Sequence, residues 1–190
     1  YYNNCTEAEI LYVSNEENIS LVKKRLQAPT IRRMGNESNY LLPYMPSAVR
    51  SQEISIARKY EQFTYLLGFG WGQAGKTMGL ASYGESLIDF SDLNYKDLEY
   101  SLKYADYLED IFVLQQLSNK NYHNYIQENA ADIAQTVQEY TEKAVITLIK
   151  NLAKKYHAEY LCLGGGLFLN CLLNQKILEN CNLKEVFIFP

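Results

Sequence analysis

Four consecutive segments near the carboxyl end of the chain place the strongest constraint on its fold. Apolar residues recur every three or four positions over residues 125–156, which predicts one long amphipathic helix. An apolar run at 159–163 then meets three glycines, residues 167–180 fit a second helix, and a second apolar run occupies 184–189. Strand, tight turn, helix and strand in this order predict a βαβ unit, in which the two strands lie parallel. The sequence therefore predicts an α/β fold.

The upstream segments predict smaller elements. Residues 10–13 and 19–22 read as two strands around a polar turn, and a helix that Ser47 could cap is expected to reach about residue 67. Prolines and a glycine interrupt residues 26–50, which are therefore expected to be irregular. Residues 85–124 are acidic and rich in tyrosine, which predicts short helices in a peripheral lobe.

A glycine-rich segment at residues 70–84 contains the P-loop pattern G-x-x-x-x-G-K-[ST]. The four defined positions of the pattern are occupied by Gly70, Gly75, Lys76 and Thr77. Taken alone, this match indicates a nucleoside-triphosphatase, in which backbone N–H groups and the lysine hold phosphates.

The residues on either side of the pattern argue against a P-loop. A P-loop follows a strand and opens a helix, but the apolar residues at 56–67 have helical spacing. Downstream, Gly79 and Gly84 would each cost a helix about 1 kcal/mol. We therefore predict a loop that leaves a helix, with Gly68 and Gly70 in left-handed conformations, and keep the nucleoside-triphosphatase as an alternative.

The three glycines after the first predicted strand form a second segment with chemical implications. Gly164, Gly165 and Gly166 lie at a strand's carboxyl end, where open α/β sheets bind ligands and where glycine permits close approach to the backbone. The following helix offers free N–H groups, and Asn170, one turn into it, can present its amide to a ligand. The alternative is a tight strand-to-helix connection that binds nothing.

Charge and hydropathy exclude several functional classes. The chain has 18 Lys and Arg against 22 Asp and Glu, a net charge of −4, and no basic stripe, which argues against nucleic-acid binding. No apolar run approaches the roughly 20 residues that span a bilayer, so no membrane partner is expected. The chain opens with Tyr rather than Met and with no signal peptide, so we expect a fragment or a processed chain.

The cysteines and histidines predict no metal site. The four cysteines form no C-x-x-C pair, which argues against a zinc ribbon or a thioredoxin motif. Cys162 and Cys171 lie in apolar segments, where a free thiol behaves as a small hydrophobic side chain, and we expect a reduced, cytoplasmic setting. His123 and His157 are isolated, which predicts surface or helix-end positions for both.

The two glycine-containing segments together resemble one enzyme family. Gly75-Lys-Thr-Met-Gly-Leu-Ala-Ser-Tyr-Gly84 resembles the Gly-Lys-x-Met-Gly-Leu-Ala-x-Tyr-Gly signature of the nodulation-type O-carbamoyltransferases. Residues 161–178 resemble the family's Leu-Cys-Leu-x-Gly-Gly-x-x-x-Asn-Cys segment. The departures are small, since Ser82 stands where the family often has Pro and Gly164 where it often has Ala.

This resemblance covers most of the chain and implies an architecture. Residues 60–69 and 132–138 also fit the family, and order and spacing agree over about residues 47–190. The implied α/β fold is that of actin, the sugar kinases and the heat-shock chaperones, also called ribonuclease H-like, and it is incomplete here. Residues 1–46, which match loosely, would close a first subdomain, and residues 47–190 would form a second one that carries the lobe at about 85–124.

The resemblance also implies a reaction. A second domain of the parent chain would make carbamoyl-adenylate from carbamoyl phosphate and ATP, and this domain would transfer the carbamoyl group to a hydroxyl of a small-molecule acceptor such as a sugar or an antibiotic. The mixed anhydride is already activated, so the protein mainly positions it and balances its charge. The family's iron-type metal would be held by a His-x-x-x-His motif upstream and an Asp downstream, so we expect no metal ligands in these residues and no full activity from them alone.

Site residues follow from the resemblance one by one. Gly165 and Gly166, with Gly164 beside them, and Asn170 would contact the adenylate. Lys76, the one candidate catalytic residue, would offer charge to a phosphate or carbamoyl oxygen or else pair with a carboxylate. Met78 and Gly79 would shape the pocket wall. The alternatives that stay open are another ATP-binding protein of the actin-like fold, such as a kinase or a chaperone-like module, and a scaffold that keeps the fold without the chemistry.

Overall fold

The computed structural model describes residues 6–15, 17–27, 55–70, 72–93 and 119–189. In chain order, the helices and strands of this part are β1 (Thr6–Ser14), β2 (Ile19–Gln27), α1 (Ile56–Leu66), α2 (Ala74–Ala81), α3 (Asn119–Glu128), α4 (Ala130–Tyr156), β3 (Tyr160–Leu163), a 3₁₀ helix (Gly166–Leu169), α5 (Cys171–Asn180) and β4 (Glu185–Ile188). They form two small sheets and a set of helices, which is a mixed α/β arrangement.

The 27-residue helix α4 is the centre of the core. Its apolar stripe is buried against α1, α2 and α5, and Ile133, Val137 and Ala144 have no exposed surface. The predicted end of the helix is confirmed, because α4 ends at Tyr156 and His157 adopts a left-handed conformation there (φ 51°).

The predicted single helix over residues 125–156 is wrong at its beginning, because two helices meet at Asn129. The Asn129 side chain donates a hydrogen bond to the Tyr125 carbonyl (2.9 Å), which competes with the helical backbone pattern. Helix α3 therefore ends at Glu128, and α4 begins at Ala130. Residues 94–118, which hold most of the predicted lobe, lie outside the described residues.

Helix α1 begins where a serine caps it. Ser55 has an extended backbone (ψ 156°), and its hydroxyl accepts a hydrogen bond from the N–H of Arg58 (3.1 Å). A continuous helix from Ser47 is therefore wrong at this point, although Ser47 itself lies outside the described residues. The helical approach to the glycine-rich segment is confirmed, so the strand that a P-loop requires is not what precedes it.

The prediction of a loop over residues 70–84 is wrong in its central part, where α2 forms. Gly75 and Gly79 lie inside this helix, despite their poor propensity, because α2 buries Thr77 and Ala81 against α1 and α4. Of the two glycines predicted to be left-handed, Gly68 is (φ 81°), and Gly72 (φ 71°) takes the second such position instead of Gly70.

The βαβ unit is confirmed. Strands β3 and β4 are parallel, with Tyr160 opposite Glu185 and Leu163 opposite Ile188. The helix predicted over residues 167–180 is divided into the 3₁₀ helix and α5, because Asn170 adopts an extended backbone between them.

Two of the described cysteines are exposed, although both lie in apolar segments. Along the four-residue strands β3 and β4, one face packs against the core and the side chains of the other face are exposed. Cys162 is on the exposed face, and Cys171 is exposed in the first turn of α5. Cys181, at the end of α5, is the buried one of the three described cysteines.

Strands β1 and β2 form the predicted hairpin, and each is extended to nine residues. Asn15 shapes the turn, because its Oδ1 accepts hydrogen bonds from the N–H groups of Glu17 (3.2 Å) and Asn18 (2.8 Å). Strand β2 includes the first two residues of the segment 26–50, which was predicted to be irregular, and residues 28–54 lie outside the described part. The hairpin is tied to α1 by a hydrogen bond from the Ile56 N–H to Glu9 Oε1 (3.3 Å).

Candidate functional site

The two segments that the sequence singled out meet in the structure. Met78, in α2, and Cys171, in the first turn of α5, approach each other with their sulfur atoms 3.7 Å apart. The contact joins residues 93 positions apart in the chain. It places Met78 of α2 beside the first turn of α5, the helix that follows the glycine turn.

The glycine turn at residues 164–166 is open. Gly165 requires glycine, because its φ of 110° is rare for other residues. An added Cβ at Gly165 or Gly166 would meet no atom within 4 Å, and one at Gly164 would lie 3.8 Å from the Phe189 Cβ. All three glycines are exposed, so the backbone of the turn is accessible to a ligand.

Asn170 occupies a different position from the one predicted. It lies at the N-cap of α5 rather than one turn into a helix, and it is 8% exposed. Its Oδ1 accepts a hydrogen bond from the Leu173 N–H (3.0 Å), and its Nδ2 donates to Gln138 Oε1 (2.9 Å). These bonds hold the start of α5, while the predicted contact of Asn170 with a ligand stays a prediction.

A buried polar network surrounds the Asn170 side chain. Gln138 Oε1 also accepts a hydrogen bond from the Tyr60 hydroxyl (2.8 Å), and Gln138 Nε2 donates to Glu142 Oε1 (2.7 Å). Burial, and then the nearby Glu142 carboxylate, raise the pKa of Tyr60 above its ordinary range, so Tyr60 keeps its proton and acts as a donor. Burial also raises the pKa of Glu142, although the hydrogen bond from Gln138 opposes the shift.

Lys76 and Gly79 lie on exposed parts of α2. The Lys76 Nζ atom is 5.9 Å from the centre of the Phe69 ring, and among the described side chains no carboxylate forms an ion pair with it. Lys76 lies two positions before Met78, about 200° around the helix, so it faces away from the contact between Met78 and Cys171. An added Cβ at Gly79 would meet nothing within 4 Å.

Gly84, the last residue of the signature, has a role that sequence reasoning missed. A Cβ on Gly84 would lie 2.2 Å from the carbonyl carbon and oxygen of Ala131, so the two backbones touch here. The next residues are held to α4 by hydrogen bonds from the Glu85 N–H to Asp132 Oδ1 (2.8 Å) and from the Leu87 N–H to Thr136 Oγ1 (2.9 Å). The sequence feature that indicates this contact is the pair of polar side chains, Asp132 and Thr136, one turn apart on α4.

The described residues carry neither the features of a metal site nor those of a membrane crossing. In this part of the chain, no group of three or more His, Cys, Asp or Glu side chains is arranged to hold a metal ion. None of the described helices combines the length and the apolar character that a membrane crossing requires.

Similarity to known proteins is consistent with the two motifs. The family model described as carbamoyltransferase N-terminus matches residues 7–190. The uncharacterized protein MJ1058 of Methanocaldococcus jannaschii is 31% identical over 139 residues, which cover 72% of this chain and 23% of that protein.

Two nodulation proteins are also similar. Nodulation protein NolNO of Sinorhizobium fredii is 26% identical over 149 residues, covering 76% of this chain and 22% of NolNO. Nodulation protein NolO of Bradyrhizobium diazoefficiens is 27% identical over 140 residues, covering 72% of this chain and 25% of NolO. The chain thus spans about a quarter of the length of these curated relatives. The match over residues 7–190 confirms the resemblance, and the chain belongs to the carbamoyltransferase N-terminus family.

Proposed function

We propose that the chain is part of an O-carbamoyltransferase and that the glycine turn at 164–166, with the adjoining residues of α2, lines the site for a carbamoyl-adenylate donor. The contact between Met78 and Cys171 carries this proposal, because it joins the two signature segments at the carboxyl end of a parallel strand. Family membership supports the reaction class. The proposed fold of the whole domain is the actin-like one.

In the proposed reaction, an acceptor hydroxyl attacks the carbamoyl carbon of the mixed anhydride. A new C–O bond forms, the bond from the carbamoyl carbon to the phosphate oxygen breaks, AMP leaves, and the hydroxyl proton is lost to solvent or to a base. The exposed backbone at Gly165 and Gly166 would contact the adenylate. A second domain of the parent chain would supply the donor from carbamoyl phosphate and ATP.

The described residues do not fit the iron-type metal of the family, because they contain no suitable cluster of ligands. The proposal therefore involves no metal-dependent step in these residues. The acceptor would be a small molecule, without nucleic acid or membrane as a partner. The three described cysteines are free, which supports the proposed reduced, cytoplasmic setting.

Gly166→Val in the full-length protein tests the donor site. An added Cβ at Gly166 meets no protein atom within 4 Å, so the variant should fold normally while its side chain blocks a ligand on the turn. We expect AMP and ATP affinity, measured by calorimetry, to fall about tenfold or more, which is about 1.4 kcal/mol.

Gly70→Val is the control for Gly166→Val, because Gly70 lies in another loop, where it is half-buried and a Cβ would be 3.5 Å from the Gln73 side chain. The control should bind nucleotide as the wild type does. Equal affinity in the wild type and both variants would refute the site, and the absence of nucleotide binding by the wild type would favour a scaffold. Nucleotide hydrolysis without carbamoyl phosphate would favour a kinase-like or chaperone-like ATP-binding protein.

A further inference from the structure

We propose that Gln138 is a positioning residue, whose buried amide holds Asn170 and, through it, the glycine turn in the orientation that the donor site needs. This inference rests on the proposed function. The feature that motivates it is a buried network of side-chain hydrogen bonds that connects α1, α4 and the start of α5. Gln138 is 2% exposed, at the level of the apolar residues around it.

Each atom of the Gln138 amide has a defined partner. Oε1 accepts from both the Tyr60 hydroxyl (2.8 Å) and Asn170 Nδ2 (2.9 Å), and Nε2 donates to Glu142 Oε1 (2.7 Å) and, at 3.3 Å, to Asn170 Oδ1. This pattern uses an acceptor and a donor on one planar group, which the Gln138 amide supplies. Because the groups are buried, losing one partner leaves another without a hydrogen bond.

Asn170 connects the Gln138 network to the segment that follows the glycine turn. It separates the 3₁₀ helix from α5, and its backbone N–H donates to the Leu167 carbonyl (3.2 Å). On the other side, its carbonyl accepts from the Asn174 N–H (3.0 Å) and its Oδ1 accepts from the Leu173 N–H. A rotation of the Asn170 side chain would release the first turn of α5 and change the direction in which the glycine turn leaves β3.

Swapping the amide at residue 138 with the carboxylate at residue 142 tests this role directly. In Gln138→Glu, the new carboxylate cannot donate to Glu142 and repels it, so the network should open. The double variant Gln138→Glu/Glu142→Gln restores one donor facing one acceptor, with the roles of the two positions reversed. Thr141→Val is the matched control, because Thr141 is also fully buried in α4 but its hydroxyl donates to the Val137 carbonyl of the same helix (2.7 Å).

Two measurements on the full-length protein separate positioning from general stability. Hydrogen exchange without ligand reports the N–H groups of Phe168, Asn170 and Leu173, with that of Cys181 at the far end of α5 as the internal reference. Calorimetry with AMP reports the donor site. We expect Gln138→Glu to raise exchange at the three amides and the AMP Kd by about tenfold each, and the double variant and Thr141→Val to stay within about threefold of the wild type.

The possible outcomes distinguish a failure of the positioning role from a failure of the proposed function. Three results would overturn the positioning role. Hydrogen exchange could be unchanged in Gln138→Glu, or Thr141→Val could raise it equally. Exchange could also rise tenfold in Gln138→Glu without any recovery in the double variant. Raised exchange with unchanged AMP affinity would overturn it as well, since the turn would then move without consequence. Raised and rescued exchange in a protein whose wild type binds no AMP would support positioning but overturn the proposed function. If Gln138→Glu does not fold, Tyr60→Phe removes one donor to Oε1, and the same three amides should exchange faster.

Discussion

At the residue scale, Gly84 shows how the close approach of two backbones decides which side chain a position accepts. Gly84→Ala would place a Cβ 2.2 Å from the Ala131 carbonyl, against backbone that cannot rotate away. We expect the variant to lower the free energy of unfolding by about 1–3 kcal/mol, the range for overpacking a filled site. Denaturant unfolding of the full-length protein measures the loss.

Gly79→Ala is the matched control for this prediction, because a Cβ at Gly79 meets nothing within 4 Å inside a helix. Alanine should increase the stability of α2 there by up to about 1 kcal/mol. Opposite signs at the two glycines are therefore expected. A loss of equal size at both positions would contradict the contact between Gly84 and α4.

At the element scale, a buried hydroxyl pair connects α1 with α2. Thr77 Oγ1 donates to Thr64 Oγ1 (2.9 Å), which donates in turn to the Tyr60 carbonyl (3.1 Å). Thr77→Val should lower the free energy of unfolding by about 1 kcal/mol, because it removes one buried hydrogen bond while it keeps the side chain's shape. The half-buried Thr147 of α4 provides a control, and Thr147→Val should change stability by less than about 0.5 kcal/mol.

The same variant distinguishes a structural threonine from a P-loop threonine. In a P-loop the hydroxyl binds Mg²⁺, but here Thr77 is fully buried and bonded to α1. Thr77→Val should therefore leave Mg-ATP affinity unchanged when it is measured well below the unfolding transition. Loss of Mg-ATP binding with unchanged stability would instead favour the nucleoside-triphosphatase.

Local sequence patterns predicted the helices and strands whose burial is periodic. They failed for elements that form because of contacts between residues distant in the sequence. The end of α4 and the parallel pairing of β3 with β4 were predictable, because apolar spacing and flanking glycines define them. Helix α2 was not predictable, because its glycines disfavour a helix and its packing against α1 and α4 stabilises it.

The site was predictable in part for the same reason. The glycine turn and the signature segment were recognisable individually, but the contact between Met78 and Cys171 spans 93 positions of the chain. The bond between Tyr60 and Gln138 spans 78 positions, and no local pattern indicates it. Asn170 was recognised as polar and placed near the turn, whereas its capping role depends on where the 3₁₀ helix ends.

At the scale of the whole molecule, stability should depend on the core around α4 far more than on the outer face of the hairpin. Ile133 of α4 is 0% exposed, whereas Ile19 at the start of β2 is 74% exposed. Ile133→Ala should therefore lower the free energy of unfolding by about 2–5 kcal/mol, through lost burial and the cavity that remains. Ile19→Ala, the same chemical change, should cost less than about 0.5 kcal/mol. Denaturant unfolding and hydrogen exchange of α4 amides in the full-length protein measure both effects. Equal losses of unfolding free energy in the two variants would contradict this prediction. They would mean that another part of the protein covers Ile19 on the hairpin.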